Sequence, residues 1–231
     1  MLPIAMLMIL LYGWMHWRMG GAAAAANTLT IEVIGWAGVG VMLLLFVCTA
    51  MIYACIRFLQ EWASPWTLVN FCLLGLGSGF LLATALAASL DFERVLLLWF
   101  SSVALILAGL LTRLASLHRN SRIKAKSTVQ SAIGIKHRDI KQRSMGLTGG
   151  SFNTRAFFHH CSEVFIGNVR LLMLVAAFAL PLVCLVVFRL TGLSVVLWIA
   201  VVIQYAGLLA ERWLFFAQAN HPQNLYYQTV G

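Results

Sequence analysis

Six mostly apolar runs, at residues 2–17, 33–56, 66–90, 95–111, 171–188 and 193–217, leave this chain few ways to fold. A helix of about 20 apolar residues is what a hydrocarbon core about 30 Å thick requires of a segment that crosses it. Hydrocarbon offers backbone N–H and C=O groups no partners, so each such segment has to close its own hydrogen bonds, and a helix does so alone. The expected fold is all-α: a polytopic transmembrane helix bundle of about six spans, forming a single integral membrane domain over residues 1–231. The composition agrees, with 61 % hydrophobic and 10 % charged residues, where soluble domains are typically about 45–50 % apolar. Trp14, Trp17, Trp36, Trp62, Trp66, Trp99 and Trp213 fall near run ends, where amphipathic rings favour the headgroup layer.

The basic residues are as unevenly spread as the apolar ones, since 11 of the 16 Lys and Arg lie between positions 113 and 170. Uncompensated positive charge is retained on the cytoplasmic side during insertion, so residues 113–170 read as one large cytoplasmic loop. Counting crossings from there places residues 57–65 and the tail 218–231 on the same side, and residues 20–30, 91–94 and 189–192 opposite, with the amino terminus inside. The net charge of +9 does not point to nucleic acid, because the basic residues adjoin spans and lack interleaved aromatics; anionic lipid or an acidic partner accounts for them. No basic residue precedes the first apolar run, as a secretory signal would require.

Few residues have the pattern of a catalytic or metal centre. Cys48, Cys55, Cys72 and Cys184 sit inside apolar runs and Cys161 stands alone, with no CxxC pair, so neither an iron–sulfur cluster nor zinc is expected in this chain. His16, His118, His137, His159, His160 and His221 lie at run ends or outside the runs, and a haem held between facing helices would need paired histidines within them. His137-Arg138-Asp139 lacks the Asn that a kinase catalytic loop places five residues on, and no GxSxG turn is present. The glycines at 75, 77 and 79 lie in an apolar run with no strand before it, unlike a phosphate loop. Gly75, Gly79, Ala83 and Ala87 instead recur every fourth residue, a small-residue face for close helix packing. No catalytic and no metal-ligating residue is assigned.

Ionisable and amide side chains near the membrane are more selective, since a charge at a helix centre costs roughly 2.5–3.5 kcal/mol on insertion scales. Arg57 and Glu61 are four apart and are expected to pair along one helix face. Gln204, Leu208 and Glu211 share a face of the last span, Arg212 follows, and interhelical hydrogen bonding is the plainest role for that face. The crossing count gathers residues 58–65, 149–155 and 211–227 at one surface, where Trp62, Trp213, Phe215, Phe216, Tyr226 and Tyr227 join Glu, Arg, Asn220 and His221. Aromatic walls with a few polar anchors suit an amphipathic ligand.

Three segments carry a resemblance: Phe58-Leu59-Gln60-Glu61-Trp62-Ala63-Ser64-Pro65; Gly149-Gly150-Ser151-Phe152-Asn153-Thr154-Arg155; and Tyr205-Ala206-Gly207-Leu208-Leu209-Ala210-Glu211-Arg212-Trp213, continuing through Asn220-His221-Pro222 to Tyr226-Tyr227. In order along the chain they resemble the membrane-anchor subunit of bacterial dimethyl sulfoxide reductase-type molybdoenzymes, the DmsC type. That resemblance implies a multi-pass subunit of the bacterial inner membrane, without haem, which tethers catalytic subunits of an anaerobic respiratory complex. It would pass electrons from quinol, such as menaquinol, to a ferredoxin-like iron–sulfur subunit and onward to a molybdopterin subunit. It implies eight helices in relatives, so this sequence corresponds to the family's third helix onward. Carried onto these positions, Glu61, Trp62, Glu211 and Arg212 would line or brace the quinol site, Gln204 and Tyr205 would lie deeper in the bundle, and His221 would accept a proton. Arg138, Lys141, Arg143 and Arg155 would dock the iron–sulfur partner.

Two other functions fit the same residues: a scaffold that recruits catalytic subunits without touching quinol, and a small transporter whose water-filled path is lined by Arg57, Gln204 and Glu211. Sidedness is checked directly by a reporter fused at Lys136, which should be active only in its cytoplasmic form; periplasmic activity would invert the arrangement.

Overall fold

The computed structural model describes residues 1–18, 28–124, 128–140 and 162–219; Lys141, Arg143, Arg155 and His221 lie outside them. Among the described residues the chain is all-α. The helices are α1 (Leu2–Arg18), α2 (Thr28–Ala54), α3 (Pro65–Ser89), α4 (Val95–Asn120), the short α5 (Val129–Ile133), α6 (Glu163–Leu174), α7 (Leu180–Thr191) and α8 (Val195–Ala217). A π-helical turn, Val175–Ala179, joins α6 to α7 without a break.

Among the described residues five helices are long and apolar enough to cross a bilayer: Leu29–Ala54, Pro65–Ser89, Val95–Asn120, Val164–Thr191 and Val195–Ala217. The chain is a multi-pass membrane protein. The remaining run forms α1, whose 17 residues reach only about 25 Å at 1.5 Å per residue. Large apolar side chains such as Leu97, Phe100, Leu111, Val183 and Val202 are exposed along the spans, as lipid-facing surface should be.

The chain divides into two compact units, Met1–Tyr53 and Ala54–Gly231. In the first, α1 meets α2 where Tyr12 lies over Gly35: a Cβ built on Gly35 would stand 3.1 Å from the Tyr12 ring. In the second, α3, α4, α6, α7 and α8 surround a core of Leu81, Ile106, Met173, Phe178, Leu185 and Leu214. Polar tethers cross that core. Thr84 and Ser102 hydroxyls meet at 2.9 Å between α3 and α4, the Trp99 indole donates to the Leu185 carbonyl at 2.9 Å, and the Trp198 indole donates to Ser89 at 3.0 Å. Gly192, at φ +73°, closes α7 by donating to the Phe188 carbonyl at 2.8 Å, a left-handed cap that suits glycine.

The π turn has a local cause. Pro181 lies in the first turn of α7; it has no N–H for the Ala177 carbonyl four residues back, and its ring would press on that carbonyl in a regular helix. Widening the turn relieves the clash. Gln204 from α8 then donates to the same Ala177 carbonyl at 3.3 Å. One helical turn further on, Gly207 lets α8 lie directly on the widened backbone: a Cβ there would stand 2.2 Å from Ala177 N and 2.5 Å from the Ala176 carbonyl carbon.

The small-residue face expected in α3 turns inward only in part: Ala87 is buried and Gly75 and Ala83 are half-buried. Gly79 is exposed and an added Cβ meets nothing within 4 Å, whereas the buried face runs through Gly77, Leu81, Thr84 and Ala85. Gly77 faces the α4 backbone, with Ile106 N 3.6 Å from its built Cβ. Spacing by four predicts a face, but which face turns inward is decided by the partner helix. Gly207→Ala should therefore lower stability by about 1–3 kcal/mol, the usual cost of overpacking, while Gly79→Ala should leave the melting temperature in detergent unchanged; equal melting of the two variants would refute the contact.

Candidate functional site

One rim of the second unit holds its buried charged side chains, Arg113 and Glu211. On α4 the buried positions are Ser102, Ile106, Gly109, Arg113 and Ser116, a stripe at helical spacing that continues past the apolar run. Arg113 lies about 27 Å along α4 from Val95 and Glu211 about 24 Å along α8 from Val195 at 1.5 Å per residue, so both are near the edge of a core about 30 Å thick. Arg113 Nη2 stands 3.1 Å from Glu211 Oε1, with the two side chains 2 % and 0 % exposed. The other carboxylate oxygen, Glu211 Oε2, takes Nε and Nη2 of Arg212. One carboxylate thus holds two guanidiniums, one from its own helix and one from α4.

Aromatic rings close over the cluster. The Arg212 guanidinium lies 4.1 Å from the centre of the Phe71 ring and 5.0 Å from that of Phe215, a geometry in which ring faces attract the cation. Trp62 stacks on Phe215 at 5.2 Å and 8° and donates its indole N–H to the Phe215 carbonyl at 3.0 Å. Trp62 is fixed in turn by the α3 start, where Thr67 donates its hydroxyl to the Trp62 carbonyl at 2.7 Å. Pro65 begins that helix behind Ser64, whose backbone is extended, the usual entry for an N-terminal proline.

Between these groups lies a nearly filled cleft lined by Glu61, Trp62, Asn70, Phe71, Arg113, Glu211, Arg212 and Phe215, together with Thr67, Ser116, Asn120 and Gln218. Its unfilled interior is only large enough for about one water. Several buried polar atoms there have no hydrogen-bond partner, among them Glu61 Oε2, both side-chain atoms of Asn70, Arg113 Nε and Arg212 Nη1. Among the described residues no three His, Cys, Asp or Glu side chains group as metal ligands would.

The residues singled out from sequence are not all here. Glu61, Trp62, Glu211 and Arg212 line the cleft together. Gln204 is buried two turns away on α8 and serves the Ala177 carbonyl. Tyr205 is not deeper in the bundle: it is 65 % exposed, because the next residue on a helix turns about 100° and Gln204 already faces inward. Arg57 and Glu61 do not share a helix face, since α2 ends at Ala54 and the chain turns before Pro65; Arg57 is exposed while Glu61 reaches the cleft. Arg138 is exposed after α5. Sequence reasoning misses Arg113 and Asn70. An apolar run that stops at Leu111 leaves Arg113 in the loop, yet its place in the stripe with Ile106 and Gly109 is readable, and Asn70 is an amide inside an apolar run.

Fold and site together define a multi-pass helical membrane protein with a buried ion cluster beneath aromatic rings at one rim. A sulfite dehydrogenase subunit of Allochromatium vinosum is 47 % identical over 238 aligned residues, covering all of this chain and 72 % of the relative. The chain belongs to the family of that sulfite dehydrogenase component. No family model matches the sequence, and no solved structure matches it.

Removing one member of a buried pair leaves the other charge uncompensated, which typically costs about 3–5 kcal/mol, whereas replacing both by apolar residues is often neutral. Glu211→Gln should therefore destabilise the protein strongly and Arg113→Met combined with Glu211→Met much less, as measured by detergent denaturation. A double variant as unstable as the single one would show that the pair is not the reason.

Proposed function

We propose that this chain is the membrane subunit of an oxidoreductase complex, where it exchanges electrons between membrane quinone and an iron–sulfur partner and tethers a molybdopterin catalytic subunit. The observation that carries the reading is the rim cleft, in which Trp62, Phe71 and Phe215 provide ring faces beside Glu61, Arg113, Glu211 and Arg212. A quinone has this character: a flat ring, two polar oxygens and an apolar tail that stays in lipid. As it stands the cleft takes about one water, so the ring enters by displacing side chains, Arg212 and Phe71 first, because Arg212 is 31 % exposed and rests on Phe71.

The direction of flow follows from the partner. The relative's name describes a sulfite dehydrogenase component, and oxidation of sulfite with water to sulfate releases two electrons and two protons. A quinone that takes up two electrons and two protons becomes quinol, so in such a complex this subunit reduces quinone. In a reductase of the dimethyl sulfoxide type the same site would oxidise menaquinol; each step is reversible and needs the same groups. Glu61, and His221 beyond the end of α8, are the proton-exchanging groups in this reading. Arg138, Lys141, Arg143 and Arg155 steer an acidic face of the iron–sulfur partner, which speeds encounter more than it adds affinity. The basic segment then lies on the cytoplasmic side of the bacterial inner membrane, where it also meets anionic lipid.

Membranes lacking this chain should lose sulfite-dependent quinone reduction while the catalytic partners still reduce a soluble dye. Trp62→Ala and Arg212→Gln should each lower quinone turnover by about tenfold or more at unchanged dye reduction. Full quinone turnover without the chain would overturn the reading, and solute flux through vesicles holding this chain alone would replace it with transport.

A further inference from the structure

We propose that Asn70 is the residue that reads the ligand oxygen in the rim cleft, and that the ligand it reads is a neutral carbonyl–hydroxyl couple, not an oxyanion. The inference rests on the quinone reading above. Asn70 is 2 % exposed, it lines the cleft, and neither its Oδ1 nor its Nδ2 has a hydrogen-bond partner. Leaving a buried donor or acceptor unmet costs roughly 1–3 kcal/mol, and burial among the helices shields Asn70 from bulk solvent. An amide retained there with both ends open is explained by a partner that arrives.

The chemistry of the open atoms selects that partner. Asn70 Nδ2, Arg113 Nε and Arg212 Nη1 need acceptors, while Asn70 Oδ1 and Glu61 Oε2 need donors or a proton. A sulfite or sulfate ion presents acceptor oxygens only, so it would satisfy the first set and place oxygen against oxygen in the second. The charged lining is also balanced, with Glu61 and Glu211 against Arg113 and Arg212, and gives an anion no net field. A quinone carbonyl accepts from Asn70 Nδ2. Once the ring has gained two electrons and two protons, the resulting hydroxyl donates to Asn70 Oδ1. An amide carries both functions without changing charge, so it holds both redox forms of one ligand in one place. In the absence of ligand, a single water fits the remaining space.

The test uses the assembled complex, with a short-chain quinone as acceptor and a soluble dye as a control that bypasses the membrane subunit. Asn70→Leu should raise the quinone KM by about tenfold, roughly 1.4 kcal/mol of binding, with dye reduction unchanged; Asn70→Ser, which keeps a small donor and acceptor, should fall between. Added sulfate should not compete with quinone. A KM within about twofold of the parent in both variants, or competition by sulfate, overturns the inference while leaving the quinone reading intact; failure of the parent complex to reduce quinone at all removes that reading instead. If neither variant assembles, infrared difference spectra of the parent complex labelled with ¹³C-asparagine decide. An amide carbonyl band that shifts on quinone binding supports the assignment, and an unmoved band, as expected of a site that holds only water, refutes it.

Discussion

A guanidinium buried at the edge of a bilayer tolerates few surroundings, and Arg113 has one of them. Its partner Glu211 is fully buried and comes from another helix, so the ends of α4 and α8 are held in register by the need to avoid an isolated charge. Burying a charge away from water without a partner is costly wherever it happens. Pairing offsets this only when the geometry is kept and the remaining polar atoms find partners. Glu211 sets one oxygen 3.1 Å from Arg113 and gives the other to Arg212, and Arg212 spreads its charge over Phe71 and Phe215. From there Trp62, stacked on Phe215 and bonded to its carbonyl, draws the turn before α3 into the same rim.

Charged side chains buried at such a cost are seldom ornamental in membranes. Packing alone could have filled the rim with leucine at no electrostatic penalty. What the charged cluster adds is a set of fixed charges and dipoles beside ring faces, near the edge of the apolar spans. That combination suits a redox carrier with an oily tail, and it is the physical reason for the proposal that this chain is where a membrane pool and a hydrophilic partner meet.

Much of the fold was legible because hydrophobic runs and lipid thickness share a length. The runs at 66–90 and 193–217 became α3 and α8 almost unchanged, and the buried face of Gln204 and Glu211 followed from their spacing by seven. The misreadings share one cause, that hydropathy reports sequence averages while burial depends on which neighbour is present. The run that falters after Leu111 continues as helix to Asn120 because Arg113 has Glu211 to meet. A pair of Arg57 with Glu61 along one face needs a helix that in fact ends at Ala54. Tyr205 and Gln204 are adjacent in sequence yet face lipid and core. The cleft itself was half visible: spacing and resemblance name Glu61, Trp62, Glu211 and Arg212, but Asn70 and Arg113 sit in segments that read as plain span and plain loop.

The seat of Gly207 on the widened turn at Ala177 has a bearing on how anything enters that rim. With backbone touching backbone, and with Gln204 fastened one turn earlier, α8 is seated tightly on the widened turn. In the reading proposed above, a ring is admitted by side-chain rotation, the Arg212 fork swinging off Phe71, with the helices left in place.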